Sequence, residues 1–402
     1  MAELKYWLWL TTRKGLGAVG ALTVLDHLVT PERAYYGTEE DFASLPLSAF
    51  ARRSLLDKSL DEPNRVLDDC DRLGMQVMTF QDAAYPQRLR LLADPPAVLY
   101  IKGRSFLFDE EAAIAIVGMR RCTAQGQARA ERFAMDLSRA GALVVSGMAE
   151  GIDSRAVTGA LKGGGPVVSV LAGGADRVFP RENRRLYEDV AAAGALISEY
   201  PPGTPHKGDH FNPRNRILSG LCLGVLAVEC EPQGGTMLTV NHALEQGREV
   251  YAVPIGLDEG SARGTNALIR DGKAKLVERA DDILEDFAGL FPTKLAGTAP
   301  LPLEVARARL SPPEDRATKN IPQAAQASGR EVVPRGQQKS RFTDDELAIL
   351  AASAQDALVV DELVERTQIP AKRVLSALTM LQLQGAIEEQ PGRRFYALVE
   401  LE

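Results

Sequence analysis

The most regular hydrophobic pattern along the chain is a repeat of short, fully apolar runs that alternate with longer amphipathic runs. Ile114–Val117 and Ala142–Val145 are apolar on both faces and rich in β-branched residues, and an amphipathic run to Ala140 separates them. Strands buried on both faces have this composition, whereas a half-exposed strand alternates apolar and polar residues. The pattern predicts a strand, a helix and a second strand, followed by a helix that ends near Leu161.

The same alternation continues along the middle of the chain. Short apolar runs predict further strands, and the amphipathic runs between them predict helices. These strands are predicted at Val77–Phe80, Pro95–Gly103, Val167–Leu171, Leu196–Glu199, Gly224–Val228 and Glu249–Val253. Strands that alternate with helices of this length form βαβ units, which places residues 76–290 in the α/β class with a mainly parallel sheet.

Both ends of the chain have different patterns. Residues 1–75 are predicted to form several helices, with a glycine-rich turn at Gly15–Gly20 between the first two. This region resembles a sterile-alpha-motif or helix–hairpin–helix domain, which either contacts DNA through backbone amides or only packs. Residues 342–402 contain three helical runs and a hairpin around Pro391–Arg393, the pattern of a winged helix. Residues 291–341 are rich in Pro, Ala, Gln and Ser, which predicts a flexible linker.

Composition and charge exclude several kinds of protein. The 402 residues carry a net charge of -7, so a contact with nucleic acid has to come from a local basic patch. The four cysteines show no CxxC spacing, which argues for a reducing compartment and against a zinc site. No apolar run is long enough for a signal peptide or a membrane span. We therefore expect a soluble, cytoplasmic protein without metal, cofactor or membrane contact.

The residues best suited to bind a polyanion follow the predicted strands at their carboxyl ends. Parallel strands bring these ends to one edge of the sheet, where glycine loops offer backbone N–H groups and arginines add permanent positive charge. Phe179, Tyr200 and Phe211 can stack on unpaired bases. The sequence predicts a nucleic-acid-binding groove built from Gly118, Met119, Arg120, Ser146, Gly147, Met148, Arg177, Phe179, Arg181, Arg184, Arg214, Asn215, Arg216, Gly234, Gly235 and Thr236.

Other uses of these polar residues stay open. Arg214–Arg216 can instead form an internal brace with Glu199 or Glu229. His206 and His210 lie in a loop rich in Pro and Gly with no third ligand evident, so no metal site is predicted. The chain has no G-x-x-x-x-G-K-[ST] sequence and no G-x-G-x-x-G loop, which argues against a P-loop ATPase and a dinucleotide enzyme.

A family resemblance rests on many short blocks in a fixed order. They extend from Tyr85-Pro86 to Asp271-Gly272 and include Ile116–Arg120, Ser146–Asp153, Phe179–Asn183, Ser198–Pro201, Pro213–Ile217, Gly234–Thr236, Gln246–Val250 and Gly264–Asn266. With these blocks the chain resembles the DNA-processing protein A family (DprA/Smf). The resemblance implies an extended Rossmann-like sheet between a small N-terminal helical domain and a C-terminal winged helix.

The resemblance also implies a function. Such proteins look like single-stranded DNA-binding proteins that dimerise, protect incoming DNA and load the RecA recombinase onto it in natural transformation and homologous recombination. The implied partners are single-stranded DNA, RecA and a second copy of the chain, and no enzymatic activity is implied. Carried over to this sequence, the binding residues are Gly118, Arg120, Ser146, Gly147 and Met148, with the arginines near Pro180 as electrostatic partners.

Two other classes of function compete with this interpretation. Phosphoribohydrolases that resemble lysine decarboxylases carry P-G-G-x-G-T-x-x-E at the equivalent strand end. Pro232–Thr236 is similar, but the acidic position falls on Thr239, so hydrolysis lacks its obvious general base. A duplex-binding regulator would act through the winged helix, yet residues 342–400 contain ten Asp or Glu and five Lys or Arg. A contact between the winged helix and a protein fits this charge better.

Overall fold

The computed structural model describes residues 3–256, 263–295, 331–334, 338–339, 341–354, 358–390 and 394–401. The chain divides into two compact units, Met1–Pro312 and Pro313–Glu402. Within the described ranges, no helix is both long enough and apolar enough to cross a membrane. Of the linker predicted at 291–341, residues 296–330 lie outside the described part of the chain.

A nine-stranded sheet organises the first unit, and its strand order is β1-β2-β6-β5-β4-β3-β7-β8-β9. The pairs β1–β2 and β2–β6 are antiparallel, and all other neighbours are parallel. The mainly parallel α/β fold predicted from the sequence is therefore confirmed. The strands are β1 (Met75–Thr79), β2 (Val98–Gly103), β3 (Ala113–Val117), β4 (Leu143–Ser146), β5 (Val167–Leu171), β6 (Ala195–Ser198), β7 (Gly224–Ala227), β8 (Glu249–Ala252) and β9 (Lys275–Leu276).

Helices cover both faces of this sheet, and further helices precede its first strand in the chain. Short 3-10 turns at Phe108–Glu110, Arg181–Asn183 and Gly208–His210 lie between them. The α-helices are α1 (Leu4–Thr12), α2 (Gly17–Leu28), α3 (Pro31–Tyr36), α4 (Glu39–Ala43), α5 (Ala49–Leu55), α6 (Asp61–Leu73), α7 (Gln87–Arg90), α8 (Ala124–Arg139), α9 (Ile152–Gly163), α10 (Arg184–Ala193), α11 (Phe211–Gly220), α12 (Gly235–Glu245), α13 (Arg263–Arg270) and α14 (Asp281–Leu284).

The sheet separates two hydrophobic cores. Ile114 and Ile116 of β3 face the core that contains α8, α9 and α10, whereas Ala113, Ala115 and Val117 face the core that contains α11, α12 and α13. Successive side chains of a strand point to opposite faces, so a strand between two cores has to be apolar at every position. This is the physical reason for the uninterrupted apolar runs in the sequence.

The N-terminal helices share the first of these cores with the sheet. Trp7, Leu8 and Leu10 of α1 pack in the same cluster as Val98 and Tyr100 of β2. The predicted boundary near residue 75 therefore lies inside one compact unit, between α6 and β1.

Two local predictions differ from the structure. The helix predicted over Ala49–Arg72 is broken between α5 and α6, where the Asp57 carboxylate accepts the N–H of Ser59 at 3.0 Å. Such side-chain bonds compete with the helical backbone bonds. The glycine-rich turn is shorter than predicted, because α2 already begins at Gly17, and Gly15 and Gly17 supply its positive φ angles of 77° and 61°.

The second unit has the three helices and the hairpin of the predicted winged helix. Its helices are α15 (Asp344–Ala352), α16 (Val360–Thr367) and α17 (Ala371–Leu383), and they surround one apolar cluster. The hairpin turn predicted at 391–393 lies outside the described residues. The strands are β10 (Glu331–Val333), which pairs with β14 (Val399–Leu401), and β11 (Leu358–Val359), β12 (Ile387–Gln390) and β13 (Arg394–Ala397), which form an antiparallel sheet.

The shared core predicts that a cavity in α1 destabilises the sheet. Leu8 is fully buried, so Leu8→Ala should lower the free energy of unfolding by about 2–5 kcal/mol. Leu91→Ala is the matched control, because Leu91 is 83% exposed and should cost little. Denaturant unfolding followed by circular dichroism should show one transition shifted as a whole. A separate early transition, with β2 still protected from hydrogen exchange, would show that the helices fold independently.

Candidate nucleic-acid interface

A cleft opens where the strand order reverses. The chain proceeds from β3 through β4 and β5 to β6 in one direction, and then returns to place β7 on the other side of β3. The connections on the two sides of this point lie on opposite faces of the sheet, which leaves a crevice at the strand ends. Here the crevice is a cavity of about 540 Å³, and Gly118–Arg121, Asp153, Phe211 and Gly234–Thr236 contribute to its lining.

Two glycine loops let the backbone approach its neighbours closely at this edge. A Cβ atom on Gly118 would lie 2.5 Å from the side chain of Ile152, and one on Gly147 would lie 2.6 Å from the Asp153 carboxylate. A larger residue at either position would push α9 away. The fully buried Ser146 donates its hydroxyl to the carbonyl of Ile116 at 2.7 Å, so its hydroxyl joins β4 to β3.

Arg120 is an exposed cation at the cleft. Its guanidinium carbon lies 4.7 Å from the ring centroid of Phe211, a cation–π contact at the cleft mouth. The preceding residue fixes the loop on both sides, because the N–H of Met119 donates to the carbonyl of Glu229 at 3.0 Å and its carbonyl accepts the N–H of Ile152 at 3.2 Å. Within the described ranges, no carboxylate forms an ion pair with Arg120, so its charge faces solvent.

Arg214 stabilises the same edge of the sheet from the protein interior. Its side chain is buried and donates to the carbonyls of Gly147, at 2.9 Å, and Val170, while its Nε donates to Asn215 at 3.1 Å. Burial lowers the pKa of Arg214 to about 10, and the nearby Asp153 carboxylate opposes this shift. Burial also raises the pKa of Asp153, which Arg214 counteracts. Arg214 and Asn215 line the cleft, but the guanidinium is engaged inside the protein.

Arg216 does not reach this cleft. Its guanidinium donates to both oxygens of Glu199, at 3.0 and 2.7 Å, and to Asp94 at 2.8 Å. Its side chain is only 4% exposed. The internal brace that the sequence left open is thus made by Arg216 with Glu199, on the side of a second cavity beside α2.

Five rings in two groups are called the aromatic shelf: Phe179, His206 and Phe211, of which Phe211 lines the cleft, and the pair Tyr200 and His210. Phe179 is 40% exposed, stacks on His206 with 5.1 Å between centroids, and lies 5.8 Å from Phe211. Tyr200 stacks on His210 at 4.2 Å. Burial lowers the pKa of His206, so this ring is neutral at pH 7 and stacks as an uncharged aromatic. The sequence left these two histidines as either solvated or groove-lining, because their positions in a Pro/Gly-rich loop give little signal.

The predicted arginine cluster lies next to the shelf. Arg177, Arg181 and Arg184 are exposed. The carbonyl of Arg177 bonds to the ring of His206 at 2.9 Å, and the side chain of Asn183 donates to the carbonyl of the buried Met148 at 2.9 Å. These two bonds attach the cluster to the shelf and to the loop after β4. Positive charge and stacking surface are therefore contiguous here.

The N-terminus of α12 forms the opposite wall of the cleft. Gly234 is its N-cap and provides no side chain to accept the first helical N–H groups. Gly235 and Thr236 follow, so backbone donors face the cleft opposite Arg120. Arg121 also lines the cleft and was missed from the sequence, although its position next to Arg120 is the signal that finds it. Among the described residues, no group of three His, Cys, Asp or Glu is arranged to hold a metal ion.

Comparison with known families and proteins gives a consistent result. Residues 76–288 match the family described as DNA recombination-mediator protein A, and residues 323–393 match the DprA winged helix domain. The first match covers more than half of the chain and contains every residue of the cleft and the shelf.

Individual relatives agree with this match. The chain is 38% identical over 240 residues to the DNA processing protein DprA of Bacillus subtilis, covering 60% of this chain and 80% of that protein. It is 29% identical to protein Smf of Synechocystis over 98% of both chains. The X-ray structure of DprA from Streptococcus pneumoniae superposes with a TM-score of 0.62 at 29% identity, covering 70% of this chain and 97% of that one. The chain therefore belongs to the DNA recombination-mediator protein A family, the DprA/Smf proteins.

Proposed function

We propose that this protein binds single-stranded DNA along the cleft and the aromatic shelf. The observation that carries the proposal is the contact of Arg120 with Phe211, which places a solvent-facing cation directly beside stacking rings. Backbone N–H groups at the start of α12 are suited to hold phosphates, while Phe179 offers an exposed face to a base. The family's description as a recombination mediator supports this choice of ligand.

The chemistry of the surface favours a single strand over a duplex. Aromatic rings can stack only on bases that are not already stacked and paired within a helix. Duplex binding draws most of its affinity from many phosphate contacts, which a chain with a net charge of -7 is poorly equipped to provide. The winged helix is acidic, and its Arg373 already pairs with Asp345 at 2.7 Å. We propose a protein partner for that domain rather than duplex DNA.

We also propose that the protein is not an enzyme. At the position where phosphoribohydrolases carry their catalytic glutamate, α12 has Thr239, which is buried and lines the cleft with a hydroxyl group. A hydroxyl cannot act as the general base at neutral pH without a partner of its own. The cleft then binds a strand without cleaving it.

The family match supports a role in recombination for the bound strand. We propose that the protein acts as a homodimer in the cytoplasm, where it protects incoming single strands and loads RecA onto them during natural transformation and homologous recombination. The four cysteines are all unpaired, as expected for a reducing compartment.

The first prediction concerns ligand choice. Fluorescence anisotropy should give a much lower Kd for an oligothymidylate than for a duplex of equal length, because only the single strand can stack on the shelf. Incubation with nucleoside monophosphates should release no free base, as judged by chromatography. Equal affinity for duplex and single strand would refute the proposed ligand, and release of a base would favour the phosphoribohydrolase.

A second prediction tests whether Arg120 contacts a phosphate of the DNA or has only a structural role. Arg120→Ala should weaken binding to all sequences alike and reduce the slope of log Kd against log salt by about 0.7, the value for one lost phosphate contact on a single strand. Arg65→Ala is the matched control, because Arg65 is equally charged, 71% exposed and carried by α6 beside the far strand β1. A folded Arg120→Ala protein whose slope equals that of the control would show that Arg120 does not touch the backbone.

A third prediction assigns binding and dimerisation to the first unit. A chain that ends at Pro312 should remain dimeric by light scattering and keep its affinity for an oligothymidylate, because the cleft, the shelf and both cores lie within it. The end has to lie beyond Leu295, since Phe291 and Leu295 pack on the first core and Lys294 pairs with Glu111 at 2.6 Å. A folded but monomeric product, or a loss of about a hundredfold in affinity, roughly 2.7 kcal/mol, would contradict it.

A further inference from the structure

The carboxylate of Glu229 is fully buried just beyond the end of β7. Its Oε2 accepts the N–H of Thr123 at 2.9 Å, and its Oε1 accepts the hydroxyl of the same residue. Thr123 is the N-cap of α8, a helix of 16 residues. The negative charge of Glu229 thus lies at the positive end of a long helix dipole, where an anion is stabilised.

The fit between this carboxylate and the helix is close. A Cβ atom on Gly126, in the first turn of α8, would lie 2.2 Å from Oε1 of Glu229. The Gly126 N–H meanwhile donates to the hydroxyl of Thr123 at 2.9 Å. Glu229 and Thr123 therefore fill the space beside Gly126 and engage the N–H groups of Thr123 and Gly126 at the start of this helix.

The position of α8 indicates which ligand its N-terminus would otherwise bind. This helix follows β3, the strand at which the sheet order reverses, and in doubly wound folds a helix N-terminus at this point receives the phosphate of a bound nucleotide. Here the cleft is lined by Gly118–Arg121 and by Gly234–Thr236 at the start of α12, but by none of residues 123–126. In the described part of the chain, the first residues of α12 line the cleft, as do Phe211 and Asn212 at the start of α11 and Asp153 at the start of α9, whereas those of α8 do not.

We propose that Glu229 is a specificity-determining residue, whose carboxylate fills the anion site at the N-terminus of α8 and thereby excludes free nucleotides from the cleft. The part of this inference that concerns the polymer rests on the proposed function. A nucleoside monophosphate has a single phosphate group and loses its best site, and the fixed negative charge repels it. A strand distributes its contacts over Arg120, the start of α12 and the shelf, so it does not need the site at α8.

Three variants of Glu229 distinguish two effects of its side chain on the anion site: blocking by its volume and repulsion by its charge. Glu229→Ala and Glu229→Ser remove the charge and vacate the space, whereas Glu229→Gln removes the same charge and leaves the space filled. Titration calorimetry with deoxythymidine monophosphate is the measurement. We expect Glu229→Ala to bind it about tenfold or more tightly than the unmodified protein, because phosphate can then reach the donors at the start of α8. Glu229→Gln should bind no better than the unmodified protein.

Glu199→Ala provides a control for general loosening of the sheet edge. It also removes a carboxylate at a neighbouring strand end, but that carboxylate holds Arg216 and not a helix N-terminus. This variant should gain no affinity for the monophosphate. A gain as large as that of Glu229→Ala would overturn the proposal.

The remaining outcomes are also decisive. Equal gains in Glu229→Gln and Glu229→Ala would assign the effect to charge alone, and tight binding of the monophosphate by the unmodified protein would show that the site is open; both overturn the proposal. If neither Glu229→Ala nor Glu229→Ser folds, as judged by circular dichroism, Glu229 is purely structural and the proposal is rejected. Failure of the unmodified protein to bind an oligothymidylate would instead refute the proposed function, while the comparison of the variants with the monophosphate remains valid.

Discussion

The buried guanidinium of Arg214 holds the strand ends on which the whole site depends. It joins the carbonyl of Gly147, after β4, to that of Val170 in β5, and it lies beside the Asp153 carboxylate at the start of α9. Removing a guanidinium from water is costly, and these carbonyls and the carboxylate offset that cost. A pKa of about 10 still leaves Arg214 charged at neutral pH. The loop after β4 is therefore fixed before any ligand arrives, and a side chain at position 147 would collide with this support.

This arrangement explains how an acidic chain can present a basic surface. Three carboxylates at this edge are engaged inside the protein: Asp153 lies beside Arg214, Glu199 binds Arg216, and Glu229 binds Thr123. Glu231, which lines the cleft, and Glu150 and Glu182 nearby are exposed. The exposed charges that remain beside the cleft and shelf include several arginines, among them Arg120, Arg121, Arg177, Arg181 and Arg184. Screening limits the influence of distant surface charges to about 10 Å at moderate salt, so the local excess decides what binds.

The sequence predicted the sheet well because its signal is local. Runs that are apolar at every position, such as Ile114–Val117, can only be strands between two cores or buried helix segments, and their length decided between these. The two-residue strand β9 is too short to give any period, so the predicted sheet ended at Val253. Convergence of the glycine loops could also be predicted, because parallel topology alone brings strand ends together.

The roles of individual arginines could not be predicted in the same way. Arg120 follows Met119 just beyond β3, and Arg216 follows Asn215 within α11, yet the first faces solvent and the second is enclosed. The difference comes from Asp94, which is 122 residues away from Arg216 in the chain, and from Glu199. The stacking of His206 on Phe179 likewise depends on how two loops meet. Contacts over such separations leave no periodic trace in a single sequence.

A cleft at a strand-order reversal does not by itself distinguish a nucleotide enzyme from a DNA-binding protein, because both classes use this fold. What distinguishes them is the distribution of binding groups around the cleft. A mononucleotide site needs a phosphate site and a base pocket within one cavity, and its rings would lie inside that cavity. Here Phe211 lines the cleft, Phe179 contacts it from outside the cavity and stacks on His206, and Tyr200 and His210 form a separate stacked pair. Stacking surface that continues beyond the cavity suits a ligand that continues beyond it as well, which is the physical argument for a strand.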